Sequence, residues 1–253
     1  MALLEVCDLS KSFGGVTAVQ EVSFGVDAGT IYSVIGPNGA GKTTLFNLIT
    51  GIYAPCRGAI RLDGRAISGL APHRLARLGV ARTFQNLQIC MNMTARENVM
   101  VGAHLALDRN LLKGMLAWPA LRRAEQALAE AAASLMCYVG LDDYVDAAAS
   151  AMPYGALKRL EIARALAARP RILFLDEPAA GLNPKETDSI NVLVKKIAAD
   201  GVTVVLVEHD MKMVMHVSDR VLVLDYGKKV AEGTAREVRR NPAVIAAYLG
   251  KAA

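Results

Sequence analysis

Ile31-Tyr32-Ser33-Val34-Ile35-Gly36-Pro37-Asn38-Gly39-Ala40-Gly41-Lys42-Thr43 decides how this chain folds. Ile31–Ile35 is a short apolar strand that runs straight into a glycine-rich turn. After Gly41, Lys42–Thr50 has helical character and stops at Gly51. The turn reads G-x-x-x-x-G-K-[ST], and a strand before it with a helix after it is the context this motif needs. Glycines let the backbone fold around phosphate groups with its N–H donors pointing inward, and the helix N-terminus adds a favourable dipole. The expected contacts with ATP are Gly36, Pro37, Asn38, Gly39, Ala40, Gly41, Lys42, Thr43 and Thr44. Lys42 is expected to reach the β- and γ-phosphates, and the Thr43 hydroxyl to ligate Mg²⁺. A chance glycine-rich turn is the bland alternative, and the flanking strand and helix argue against it. The spacing is not G-x-G-x-x-G, which disfavours a dinucleotide fold.

A second stretch supplies the complementary chemistry. Ile172-Leu173-Phe174-Leu175-Asp176-Glu177 is an apolar strand ending in two acids. Adjacent acids are usually solvated surface, but a carboxylate placed after four buried residues is desolvated and needs a reason. At a strand's carboxyl end, Asp176 is expected to hold the Mg²⁺ that Thr43 also touches, and Glu177 to polarise the attacking water as general base.

The chain has 253 residues, 53% of them hydrophobic, which suits one domain with room for an inserted lobe. No apolar run approaches the eighteen or so residues that span a bilayer. The apolar stretches Ile172–Leu175 and Val202–Val207 have strand length and suit parallel strands covered on both faces. The first residues lack a basic region followed by an apolar stretch, so no secretory signal is expected. Cys7, Cys56, Cys90 and Cys137 lie far apart with no C-x-x-C pair, and buried reduced thiols are the expectation. The net charge of +5 comes from scattered residues, with Arg122-Arg123 and Arg239-Arg240 the densest pairs. No basic arm exists, so no nucleic-acid partner is expected.

Leu3–Leu9 and Val16–Val26, separated by Gly14-Gly15, read as a hairpin, and Ile60–Asp63 as a brief strand closed by Asp63-Gly64. From Thr94 to about Ala168 the chain is rich in Ala, Leu, Arg and Glu. Thr94-Ala95-Arg96-Glu97 forms a capping box, and Ala120–Val139 is a long helix candidate. Beyond it, strands Ile172–Leu175, Val202–Val207 and Arg220–Leu224 alternate with helices, one opened by Asn183-Pro184. After the turn at Tyr226-Gly227, two small helices are expected to complete the chain. Alternation at both ends predicts an α/β fold with a mainly parallel sheet core, an antiparallel β subdomain and an inserted α-helical subdomain.

These motifs establish a phosphate-loop nucleotidase. Met152-Pro153-Tyr154-Gly155-Ala156-Leu157-Lys158-Arg159-Leu160-Glu161-Ile162-Ala163-Arg164-Ala165-Leu166 narrows it, because this stretch resembles the signature helix of the ABC ATPases. The resemblance extends over essentially the whole chain and implies one ATP-binding domain, 1–253. Its core with the β subdomain is expected at 1–85 and 160–253, and its helical signature subdomain at 86–159. By the resemblance, Gln85 in Thr83-Phe84-Gln85-Asn86 is the Q-loop residue and a further Mg²⁺ contact, and Gly181-Leu182-Asn183 is the D-loop. His209 is the switch histidine, and Phe13 the aromatic that stacks on adenine. Taken singly, Gln85 is an ordinary loop residue, His209 a structural histidine and Phe13 a core residue; their shared order and spacing carry the match.

The resemblance implies a head-to-tail dimer in which Tyr154 and Gly155 of one subunit face ATP held by the other. The partner cassette is an identical or a paralogous chain. Membrane permease subunits are implied as partners, with a substrate-binding protein engaged indirectly, and the place implied is the cytoplasmic face of the inner membrane. The family's usual signature begins Leu-Ser-Gly-Gly, whereas Pro153 here offers neither hydroxyl nor N–H. The Tyr-Gly signature, the Gly181-Leu182-Asn183-Pro184 D-loop, the insertion Leu105–Arg122 and the tail Arg240–Gly250 resemble the branched-chain and hydrophobic amino acid importers. Urea or amide importers of the same branch are the near rival, and a soluble ABC ATPase of DNA repair the rival of another class. The latter carries a long coiled coil or zinc inserts, and neither is read here.

Overall fold

The computed structural model describes residues 2–103 and 118–249. Most of the insertion Leu105–Arg122 and the end of the tail at Gly250 lie outside the described residues. Two compact units emerge, one formed by Met1–Arg82 with Arg171–Ala253, the other by Thr83–Pro170. The second is wider than the 86–159 expected, because the signature helix stays whole inside it.

In the first unit, β1 (Ala2–Phe13) and β2 (Val16–Asp27) form the expected antiparallel hairpin. With β4 (Arg57–Leu62) and β5 (Arg65–Ala66) they make a sheet in the order β2-β1-β4-β5. The larger sheet runs β10-β9-β3-β8-β7-β6. It comprises β3 (Ile31–Ile35), β6 (Val80–Arg82), β7 (Ile172–Asp176), β8 (Thr203–Val207), β9 (Arg220–Asp225) and β10 (Lys228–Gly233). All of its neighbours are parallel except β9 and β10.

Every residue of β3, β7 and β8 is buried, which is why these strands read as unbroken apolar runs. One core joins the two sheets: Leu4, Val6 and Phe24 from the first, Phe174 and Leu222 from the second, and Phe46 of helix α1 (Lys42–Ile49). Phe46 and Phe174 meet edge to face at 5.3 Å. Helix α2 (Pro72–Arg77) and strands β6 and β10 were not expected from the sequence. Each is short, and β10, Lys228-Lys229-Val230-Ala231-Glu232-Gly233, is too polar to show as a strand.

The second unit contains α3 (Ala95–Gly102), α4 (Trp118–Tyr138) and α5 (Tyr154–Leu166). The Thr94 capping box is formed as expected, with the Glu97 N–H donating to the Thr94 hydroxyl and the Thr94 N–H to the Glu97 carboxylate. Back in the first unit, α6 (Pro184–Ala199), α7 (Met211–Val217) and α8 (Ala235–Arg240) follow. The last is α9 (Pro242–Leu249). The cysteines correct one expectation: all four are free, but Cys7, Cys56 and Cys137 are exposed and only Cys90 is half-buried. Among the described residues no helix is long and apolar enough to cross a membrane.

Candidate nucleotide site

Parallel strands put their carboxyl ends on one edge of a sheet, which is where α/β proteins bind ligands. Here β8 lies between β3 and β7. The phosphate loop follows β3, Asp176 and Glu177 close β7, and Glu208-His209-Asp210 follows β8. The sheet therefore gathers three segments that lie far apart along the chain.

The loop itself demands glycine. Gly36 has φ 153° and Gly41, the cap of α1, has φ 95°. A Cβ at the first would run into the Leu224 carbonyl, and at the second into the Ala18 carbonyl. Both positions are therefore closed to any side chain. The loop is tied to the β9–β10 turn, where the Gly227 N–H donates to the Ala40 carbonyl at 3.0 Å. Lys42, only 8% exposed, donates to the carbonyls of Gly36 at 2.7 Å and Pro37 at 3.0 Å. Burial holds its ammonium below the usual lysine range, against the opposite pull of Glu177 and Asp176. Asn38, Gly39 and Thr43 are exposed, Pro37 and Thr44 half-buried. The loop thus presents its tip and its first helical turn outward while fixing its base.

Asp176 is buried, and its Oδ2 accepts from the Arg82 guanidinium at 2.7 Å. Glu177 sits at φ 49°, in the left-handed region that a non-glycine residue enters only at a cost of about 1–3 kcal/mol. Its backbone is held there by N–H donation to the Val207 carbonyl at 3.0 Å. The twist turns the chain at the strand end, and the Glu177 carboxylate comes to 3.8 Å from His209 Nδ1. The His209 side chain is 61% exposed, so it is not the satisfied structural histidine of the bland reading. Glu208 beside it is 1% exposed and accepts from the Ala179 N–H at 3.0 Å and the His209 N–H at 3.1 Å. Burial raises its carboxyl above the ordinary range, and those backbone donors offset this only in part.

The remaining predicted residues of this unit fall at its surface. Phe13 is 42% exposed, its ring edge-on to Tyr53 at 5.2 Å, so it is not core. Gly181 is exposed with φ 78°, and Leu182 is half-buried. Asn183 caps α6, accepting the Glu186 N–H at 3.0 Å. Sequence reasoning missed Arg82, Glu208 as an anchor, and Tyr248 of α9. The Tyr248 phenol is raised by burial while the Gly36 N–H hydrogen-bonds to it. Glu208 and Tyr248 lie within stretches the sequence singled out, but the role of each, like that of Arg82, shows only through the partner the fold gives it.

In the second unit, Gln85 is exposed on the loop before α3. That loop is held by one face of α5: Glu161 accepts the Phe84 N–H at 3.2 Å, Lys158 donates to the Gln85 carbonyl at 3.4 Å, and Arg164 donates to the Gln88 carbonyl. Burial raises the Glu161 carboxyl above the ordinary range; the Phe84 N–H and Lys158 pull it back only in part. Pro153 is the N-cap of α5, with φ −66° and no side-chain capping bond, and its carbonyl accepts from Ala156 and Leu157 at 3.0 Å each. Tyr154 opens the helix, exposed, with Lys158 Nζ 5.8 Å from its ring centre; Gly155 follows, buried. An uncapped helix start leaves first-turn N–H donors available for an anion.

Comparison with known proteins gives the chain its relatives. The ABC transporter family matches residues 19–180, and a family described as branched-chain amino acid ATP-binding cassette transporter matches 228–253. The chain is 50% identical over 251 residues to the high-affinity branched-chain amino acid transport ATP-binding protein BraF of Pseudomonas aeruginosa. That match covers 99% of this chain and 98% of the other. Among solved structures it is similar to a nucleotide-free ATP-binding cassette from an ABC transporter, with TM-score 0.87 and 30% identity, covering 99% and 100% of the two chains. It is also similar to a dimeric ATP-binding cassette in a post-hydrolysis state bound to ADP and phosphate. There the TM-score is 0.77 and the identity 25%, over 92% and 99% of the chains.

Proposed function

The chain belongs to the ABC transporter family, and on that premise we propose that it is the ATP-hydrolysing subunit of an importer for branched-chain or other hydrophobic amino acids. One observation carries the enzymatic part: the sheet brings the phosphate loop, the acid pair and His209 to neighbouring strand ends, with Glu177 twisted to φ 49° beside His209. The cargo follows from the relative at 50% identity and from the family matched by the last residues.

In this reading the backbone N–H groups of Gly36–Thr44 and the Lys42 ammonium hold the triphosphate of ATP. Phe13 lies against the adenine. Glu177 accepts the proton of the attacking water as general base, a role worth roughly 10²–10⁴-fold in rate. His209, able to donate from its ring, steadies the γ-phosphate. Mg²⁺ suits the donors present, because it is a hard ion that takes one or two protein oxygens together with phosphate and water oxygens. Thr43 and Asp176 supply such oxygens. Among the described residues no cluster of His, Cys, Asp and Glu exists that would bind a softer or fully caged metal. When bound, the ion neutralises charge on the phosphates. Gln85 and the D-loop Gly181-Leu182-Asn183 take the family's roles by position.

Two such chains, or this one and a paralogue, pair head to tail, and the α5 start with Tyr154 and Gly155 addresses ATP on the partner. Permease subunits receive the resulting motion at the inner face of the membrane, and a substrate-binding protein delivers the cargo outside it. The test is reconstitution with permease subunits and a binding protein of the branched-chain amino acid type. ATPase activity stimulated by leucine, isoleucine or valine supports the proposal. Stimulation by urea or short amides alone replaces the cargo, and no membrane partner at all overturns the importer reading.

A further inference from the structure

We propose that Arg82 is a positioning residue that sets the spacing between the two oxygens offered to Mg²⁺, those of Thr43 and Asp176. The inference rests on the metal reading above and assigns a residue which that reading does not use. Arg82 ends β6, with its side chain 8% exposed. One nitrogen of its guanidinium, Nη2, donates to Asp176 Oδ2 at 2.7 Å, at the end of β7. The other, Nη1, donates to Asn47 Oδ1 at 2.6 Å and Thr50 Oγ1 at 2.9 Å. Asn47 lies in the last turn and Thr50 is the C-cap of α1, the helix whose first turn carries Thr43, and the guanidinium lies 5.7 Å from the ring centre of Phe46 on the same helix.

The anchors are themselves secured. Thr50 donates its hydroxyl to the Phe46 carbonyl at 2.7 Å, and the Asn47 carbonyl accepts from Ile52 and Tyr53. A guanidinium is planar and rigid, and its donors cannot be moved independently. With one edge on the acid of β7 and the other on α1, it fixes the acid relative to the helix. It also limits rotation of the Asp176 carboxylate by engaging one oxygen. A lysine offers a single flexible ammonium and cannot span the three acceptors in this way.

ATP binding is measured by titration, in Mg²⁺ and again in EDTA, for the wild type, Arg82→Lys, Asn47→Ala and Asp176→Asn, with thermal melting as a check on folding. Arg82→Lys is expected to keep its affinity in EDTA within about twofold while losing roughly tenfold of the gain that Mg²⁺ confers, the scale of one charged hydrogen bond. Asn47→Ala withdraws a single anchor and leaves the ion pair in place, so it should lose severalfold of the same gain. It carries the test if Arg82→Lys fails to fold. Equal losses in Mg²⁺ and EDTA, or no loss in Asn47→Ala, overturn the positioning role. If Asp176→Asn itself keeps the full Mg²⁺ gain, the metal reading fails instead, so the two failures are distinguishable.

Discussion

The nucleotide core and the helical unit place their polar groups by different means. In the core, fully buried strands end abruptly in functional residues: Ile35 before Gly36, Leu175 before Asp176, Val207 before Glu208. The backbone ladder itself positions the chemistry, and the strained Glu177 is held by a ladder carbonyl. Among the described residues of the helical unit no strand end does this. There the loop carrying Gln85 is held by side chains, with Lys158, Glu161 and Arg164 spaced about one turn apart on α5. Backbone placement is rigid, and side-chain placement can be released. The difference suits the proposed roles, a core that holds ATP and a helical unit that addresses other subunits.

If the core carries the chemistry, the largest effect of any single change belongs to Glu177. Glu177→Gln should leave ATP affinity intact and lower turnover roughly 10²–10⁴-fold. Steady-state ATPase rates within a few fold of wild type would take the base away from the core. Lys42→Ala should do the opposite, weakening ATP binding itself by roughly tenfold or more, since it removes charged hydrogen bonds to the phosphates.

A smaller effect is expected at the start of α5. Pro153→Ser restores a hydroxyl where the family usually has one. A hydrogen bond to phosphate adds on the order of 1.5–3 kcal/mol, and freeing the loop costs about 0.4–1 kcal/mol. The ATP-bound dimer should therefore tighten, about tenfold, most visibly by sedimentation in a Glu177→Gln background. The structure adds a rival use for that hydroxyl, because Pro153 is an N-cap without a side-chain capping bond. A serine there can cap its own helix, which stabilises by about 0.5–2 kcal/mol. A higher melting temperature without ATP and no gain in dimerisation would show that the helix has claimed it.

The smallest effect concerns pH. Burial raises the carboxyl of Glu208 above that of an unfolded glutamate, so the folded chain binds the proton more tightly. The stability this contributes is full below the unfolded value of about 4.3 and is lost as pH rises through the folded value. Compared with Glu208→Gln, the wild type should lose melting temperature between acid and neutral pH. A difference that is constant across the range, or that grows with pH, would show that the hydrogen bonds from Ala179 and His209 outweigh burial.

The same contrast explains what was legible. The core could be read because its motifs are local: an apolar run, a glycine turn and a lysine stand within a dozen or so residues, and their spacing is the chemistry. The antiparallel hairpin, the parallel strands, the Thr94 capping box and the Asn183 N-cap were readable for the same reason. Arg82 was not, since its partner Asp176 is 94 residues away. Nor was the hold on the Gln85 loop, made across 73 to 77 residues by a helix whose sequence does not name its partners. Strand β10 escaped because its sequence is polar, and the exposure of Cys7 because strand faces cannot be assigned before the sheet is known.

The central claim is that the core binds ATP within one chain while hydrolysis needs the α5 start of a second. Specific ATPase activity measured against protein concentration, alongside sedimentation, tests it most directly. The account predicts activity that rises with the dimer fraction and vanishes in the monomer, while ATP binding persists there. Specific activity that stays flat down to concentrations where sedimentation shows only monomers would contradict it.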